Sequence, residues 1–205
     1  MNRAYLYTAV SVGGASVLAV EILGTRIVGP YFGVSIFLWS ALIGVTCAAL
    51  ALGYWIGGRW ADRGPRAGRF AALFIAAGIW IALVPLLRGP AVDAARPLGH
   101  RAALLAVSLA LFFPPLAVLG MVSPYALRLR ATSLADVGRS AGDLYAVSTL
   151  ASVAAALLTG YVLVPGFGVM GITLSIGILL AATGIGGLFV GSNRGGTPGT
   201  EKVEA

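Results

Sequence analysis

Charge is scarce in this chain: its 205 residues include 14 Lys and Arg, 7 Asp and Glu and one His, so 10% carry charge, where soluble domains carry about a quarter. Cysteine is scarcer still. Cys47 stands alone, which excludes a disulfide framework or a thiolate metal site within one chain, and its apolar setting predicts a small buried hydrophobe. Also missing are a nucleophile–base–acid set, a cluster of metal ligands and a glycine-rich phosphate loop after a strand, so the sequence assigns no catalytic residue, cofactor or metal. What is abundant is apolar: 59% of the residues are hydrophobic and the mean hydropathy is +0.93. Such a composition calls for lipid as solvent.

Crossing about 30 Å of hydrocarbon takes roughly 20 helical residues. Six runs of that kind occur, over 5–28, 37–57, 70–87, 102–120, 144–164 and 169–190. They lack the alternation of barrel strands, and a lipid-exposed backbone must satisfy its own hydrogen bonds, so helices follow. The predicted fold is therefore an all-α integral membrane protein with about six transmembrane helices over residues 1–191, multi-pass in the cell membrane and in contact with the bilayer. The first run is too long for the h-region of a secretion signal and holds Glu21, which reads as a retained helix.

The net charge of +7 would suggest nucleic acid in a soluble protein. Here the basic residues lie between apolar runs and report topology instead. With the N-terminus cytoplasmic, Arg3, Arg59, Arg63, Arg66, Arg69, Arg128, Arg130, Arg139, Arg194 and Lys202 fall inside, against Arg88, Arg96 and Arg101 outside. The positive-inside bias places both termini in the cytoplasm. A sizeable external loop is expected over 88–101, with His100 as solvated surface. Ser140-Ala141-Gly142-Asp143 reads as a capping box that starts the fifth helix, and Ser123-Pro124 as the end of the fourth. Residues 192–205 form a polar, Gly-containing tail that cannot bury a core and is expected to be disordered. Gly53 and Gly57 on the second helix, and Gly187 and Gly191 on the sixth, are spaced for close helix approach, either within the bundle or at a homodimer seam. The short matches Leu52-Gly53-Tyr54 and Thr159-Gly160-Tyr161 suggest a 3+3 inverted repeat.

Glu21 is the most informative single residue, because an ionisable group in a membrane helix costs on the order of 3 kcal/mol unless a partner or water meets it. It reads as a proton carrier or as the counter-charge of a cationic substrate, with a structural hydrogen bond or ion pair as the alternative. Arg26, five positions on, is rotated about 140° from it and does not stack on it. Tyr54, Tyr145 and Ser148 are candidates to line a polar pathway with Glu21, or else to sit in the interfacial aromatic belt.

Gly58-Arg59-Trp60-Ala61-Asp62-Arg63-Gly64-Pro65-Arg66 resembles the cytoplasmic loop motif between the second and third helices of the major facilitator superfamily. That resemblance implies a structural or gating latch at Gly58, Asp62 and Arg63, in which the Asp62 carboxylate takes helix-end donors or a nearby Arg. More widely, Glu21-Ile22-Leu23-Gly24-Thr25-Arg26, Pro30-Tyr31-Phe32-Gly33-Val34-Ser35 with Trp39, Ala51-Leu52-Gly53-Tyr54 with Gly57-Gly58 and Asp62-Arg63, Gly120-Met121-Val122-Ser123-Pro124, and Gly138-Arg139 with Gly142, Tyr145-Ala146 and Ser148-Thr149 resemble the membrane domain of membrane-bound spermidine-synthase-like proteins. Relatives of that type continue into a Rossmann-like aminopropyltransferase domain with a Gly-Gly-x-Asp-Gly type loop. No such loop occurs among these residues, so the resemblance concerns the membrane half alone. It implies a domain that binds or transports a small cationic amine such as a polyamine. The alternative is a non-transporting scaffold that anchors a soluble spermidine-synthase-like enzyme, with 128–143 as its contact surface.

Overall fold

The structure, a computed structural model, describes residues 2–130 and 137–192. These residues are helical almost throughout, with no strand among them. The helices are α1 (Arg3–Phe32), α2 (Ile36–Asp62), α3 (Ala67–Ala95), α4 (His100–Gly120), α5 (Val122–Arg130), α6 (Val137–Leu158), the single turn α7 (Val164–Gly166) and α8 (Val169–Ser192). They form six spans long and apolar enough to cross a membrane: α1, α2, α3, α4 with α5, α6 through α7, and α8. The polar tail lies, from 193 on, outside the described residues.

Every span except the last begins earlier than the apolar runs suggest, because interfacial polar residues tolerate helix as well as loop. Asn2 caps α1 by accepting a hydrogen bond from the Ala4 N–H at 3.2 Å. Helix α3 passes through Pro85, Arg88 and Pro90 to Ala95, so most of the external loop expected over 88–101 is helix. The chain turns only at Gly99, whose φ of 76° suits a residue without Cβ. The fourth span does not end at Ser123-Pro124. It breaks at Met121 and resumes as α5, with Pro124 in the first turn, where its missing N–H costs nothing. Helix α6 is already running at Ser140, so the expected capping box is not the helix start, and Asp143 serves another purpose described below. A five-residue π-helical turn, Thr159–Leu163, interrupts the fifth span.

Packing follows a pattern. Span 1 lies against span 5, span 2 against span 4 and span 3 against span 6, with spans 3 and 4, and 1 and 6, as secondary neighbours. Exchanging the first three spans for the last three leaves this set of neighbours unchanged, as a 3+3 repeat requires. Small residues make the approaches possible. A Cβ on Gly78 would come 2.6 Å from the Gly177 carbonyl oxygen, and one on Gly177 2.7 Å from that of Gly78. Gly53 and Gly57 pack on span 4 within the same chain, which settles their role as intramolecular. Gly160, by contrast, faces open space, so its match to Gly53 carries no shared packing role.

Candidate functional site

Four spans converge on one cleft of about 260 Å³. Helix α1 contributes the stripe Val10, Gly13, Gly14, Val17 and Leu18, whose spacing of three and four residues is one helical face. Leu50 and Tyr54 come from α2, Leu119, Gly120, Val122 and Ser123 from the α4–α5 joint, and Tyr145, Ser148, Thr149 and Ser152 from α6. Six of these side chains carry hydroxyls, those of Tyr54, Ser123, Tyr145, Ser148, Thr149 and Ser152, set among Gly, Val and Leu. Gly14 is the reason α1 and α6 approach here: a Cβ would fall on the Ser148 hydroxyl and 2.8 Å from that of Ser152. The Ser148 hydroxyl donates to the Val10 carbonyl at 3.4 Å, and that of Ser152 to the Ser148 carbonyl at 2.9 Å.

Three of the four residues singled out as substrate contacts therefore share a wall: Tyr54, Tyr145 and Ser148. Glu21 does not line the cleft. It stands two turns beyond Gly14 on the same stripe of α1, about 10 Å along the axis, half-buried and with no ion pair among the described residues. Arg26 is exposed on the bundle surface. Cys47 is exposed rather than buried, because its face of α2 turns away from the other spans, where lipid supplies the apolar surroundings. His100 is exposed and meets Phe32 edge-on at 5.6 Å.

Below the cleft, the ends of spans 2, 4 and 5 are tied by charge. Arg128 on α5 pairs with Asp62 at the end of α2, at 3.3 Å. Arg130, also on α5, pairs with Asp143 on α6 at 3.0 Å and reaches the Ser140 carbonyl at 3.4 Å. The Tyr7 hydroxyl donates to the same Asp143 carboxylate at 3.4 Å, and the Arg130 guanidinium lies 4.8 Å from the Tyr7 ring. Arg63 makes no ion pair among the described residues, and Gly58 lines a small cavity beside Asp62. Of the latch residues, Asp62 is thus the one in an interspan bond. Tyr125, buried in the α5 end, accepts from the Arg66 N–H at 3.0 Å and holds the loop before α3.

The parts that sequence reasoning missed are Gly14 and Ser152, which look like ordinary apolar-helix residues, and the Arg130–Asp143–Tyr7 group. Charges one turn from the ends of apolar runs were the signal available for the latter. No family model, curated protein or solved structure matches the chain.

Proposed function

We propose that this chain is a membrane domain of the spermidine-synthase-like type, with both termini cytoplasmic, that binds a small cationic amine in the cleft between spans 1, 2, 4 and 5. The observation that supports this reading is the cleft itself, a largely apolar groove open to the bundle surface in which hydroxyl groups gather, two of them on tyrosines. Its size suits a compact ligand, since it falls below the roughly 300–1,000 Å³ of drug-sized pockets. Tyrosine faces attract ammonium groups, the hydroxyls of Ser148, Thr149 and Ser152 offer acceptors, and Glu21 supplies the counter-charge farther along the same stripe. A ligand spanning from the cleft to Glu21 would need its charges about 10 Å apart, which an extended triamine such as spermidine provides and the shorter putrescine does not.

The test is a thermal-shift or tryptophan-fluorescence titration of the detergent-purified protein with putrescine and spermidine. The expected outcome is a saturable shift with spermidine that weakens about tenfold in Glu21→Gln, as loss of a charge-assisted contact at a half-buried carboxylate implies. Absence of a shift with every amine would remove the binding reading.

The second reading, a scaffold for a soluble spermidine-synthase-like enzyme, draws on one observation. Only 6% of the apolar window of span 5 is buried, against 33 to 50% in the other five spans, so α6 has a long face free for another protein or a second copy of the chain. Against the expected contact surface at 128–143, Arg128, Arg130 and Asp143 are already engaged within the chain.

A further inference from the structure

Another cavity, of about 540 Å³, lies at the end of α2, lined by Trp55, Ile56, Arg59, Trp60 and Arg63, with Met121 from the break between α4 and α5. Trp55, Arg59 and Arg63 follow one another at intervals of four and so stand on successive turns of one face. Helical side chains lean toward the N-terminus of their helix, which at this end of α2 is back toward the hydrocarbon. Arg59 accordingly lies over the Trp55 ring, its guanidinium 4.0 Å from the centroid, and not out in water. Trp60 meets a second guanidinium, that of Arg69 on α3, at 5.7 Å, and stands edge-on to Tyr125 at 5.8 Å. Three guanidiniums thus gather around two indoles, and no carboxylate lines the space. Arg59, Arg63 and Arg69 make no ion pair among the described residues, and Asp62, the carboxylate nearest in sequence, is taken by Arg128 on a different face of α2.

The positive-inside effect accounts for arginine at this end of the bundle. It does not account for guanidiniums laid on indoles around a concave surface. We infer that the cavity binds the phosphate group of an anionic phospholipid. A guanidinium offers phosphate oxygens two parallel N–H donors, and indoles settle at the depth of lipid headgroups. Basic pockets between spans at a membrane surface suit such headgroups. Trp55, which is 58% exposed, and Ile56 and Met121 continue the wall as apolar surface, along which an acyl chain can lie. An acidic protein segment would match the charges, but beside that apolar surface its backbone N–H and C=O groups would lack partners. The inference does not draw on the amine-binding reading, since this cavity and the cleft share no lining residue.

The experiment measures lipid affinity. The detergent-purified, delipidated protein is titrated with phosphatidylglycerol or phosphatidylcholine, and the lipid retained is counted by native mass spectrometry. Phosphatidylglycerol is expected to bind about tenfold or more tighter than phosphatidylcholine. Arg59→Gln or Arg63→Gln should weaken it about fivefold each, and the two together about twentyfold, as the contribution of an arginine near an anionic surface implies. The single variants carry the test if the double one does not fold. Arg88→Gln with Arg101→Gln removes the same net charge from the opposite end of the bundle and should leave the affinity unchanged. Equal binding of the two lipids, or an equal loss in this second pair, would overturn the site. Displacement of phosphatidylglycerol by millimolar glycerol 3-phosphate or inorganic phosphate would replace the lipid with a free phosphate compound. Displacement by micromolar hexaglutamate would overturn the lipid assignment in favour of an acidic protein segment.

Discussion

At the scale of single residues, glycine marks where backbone, rather than side chain, meets a neighbouring helix. A Cβ on Gly53 would fall on the Ala117 carbonyl oxygen and 2.9 Å from the Gly120 Cα. Backbone cannot rotate out of the way, so spans 2 and 4 would have to separate, opening the part of the cleft that Tyr54 and Ser123 line. Gly53→Ala is therefore expected to destabilise the detergent-purified protein by about 1–3 kcal/mol, the usual cost of overpacking. Gly44 on the same helix has nothing within 4 Å of such a Cβ, and Gly44→Ala should be neutral or stabilising by up to about 1 kcal/mol through helix propensity. Melting temperatures of the two variants, measured side by side, decide the matter: equal losses would mean that both act through the helix alone and not through the contact with span 4.

At the scale of elements, proline shows why the spans were legible as existing but not in their ends. The charge-free interior of α2 or α8 admits only one reading in lipid. Pro85 and Arg88 on α3, and Ser123-Pro124 on the fourth span, look like stops and are not, because a proline frees a single carbonyl and a neighbour can take it up. Pro115 gives a visible instance. It cannot donate to the Leu111 carbonyl one turn back, and the indole N–H of Trp80 on α3 donates there instead, at 3.1 Å. The cleft was legible to a similar extent. Tyr54, Tyr145 and Ser148 stand out chemically from their helices, but what joins them is the register among spans 1, 2 and 5, and no local pattern encodes that register. Trp80→Phe should cost about 1 kcal/mol by leaving the Leu111 carbonyl unpaired. In a Pro115→Ala background, which restores a backbone N–H to that carbonyl, the same change should cost markedly less. A thermal-denaturation double-mutant cycle reads the difference, and strict additivity of the two changes would show that the indole bond does not substitute for the missing one.

At the scale of the whole molecule, exchange symmetry and charge distribution bear on one question, the sense in which the bundle sits in its membrane. Each set of three spans is odd in number, so the second set enters from the side opposite to the first, and an inverted repeat has no intrinsic preference for either orientation. Charge must therefore break the tie. The end that holds the loop after α2 and the start of α6 carries Arg59, Arg63, Arg66, Arg69, Arg128, Arg130 and Arg139, whereas the opposite end carries Arg26, Arg88, Arg96 and Arg101. The excess lies in short loops next to the spans, where the positive-inside effect is strongest. Two single-cysteine variants in a Cys47→Ser background test it: Pro65→Cys, in the exposed loop before α3, and Val34→Cys, 74% exposed between α1 and α2. An impermeant maleimide added to intact cells should label Val34→Cys and leave Pro65→Cys untouched until the cells are opened. The reverse pattern would place the Asp62–Arg128 pair on the outside. A partnership with a cytoplasmic aminopropyltransferase at that face would then be ruled out. Labelling of both positions in intact cells would mean that the two orientations coexist, as expected if the arginine bias is too small to overrule the symmetry of the fold.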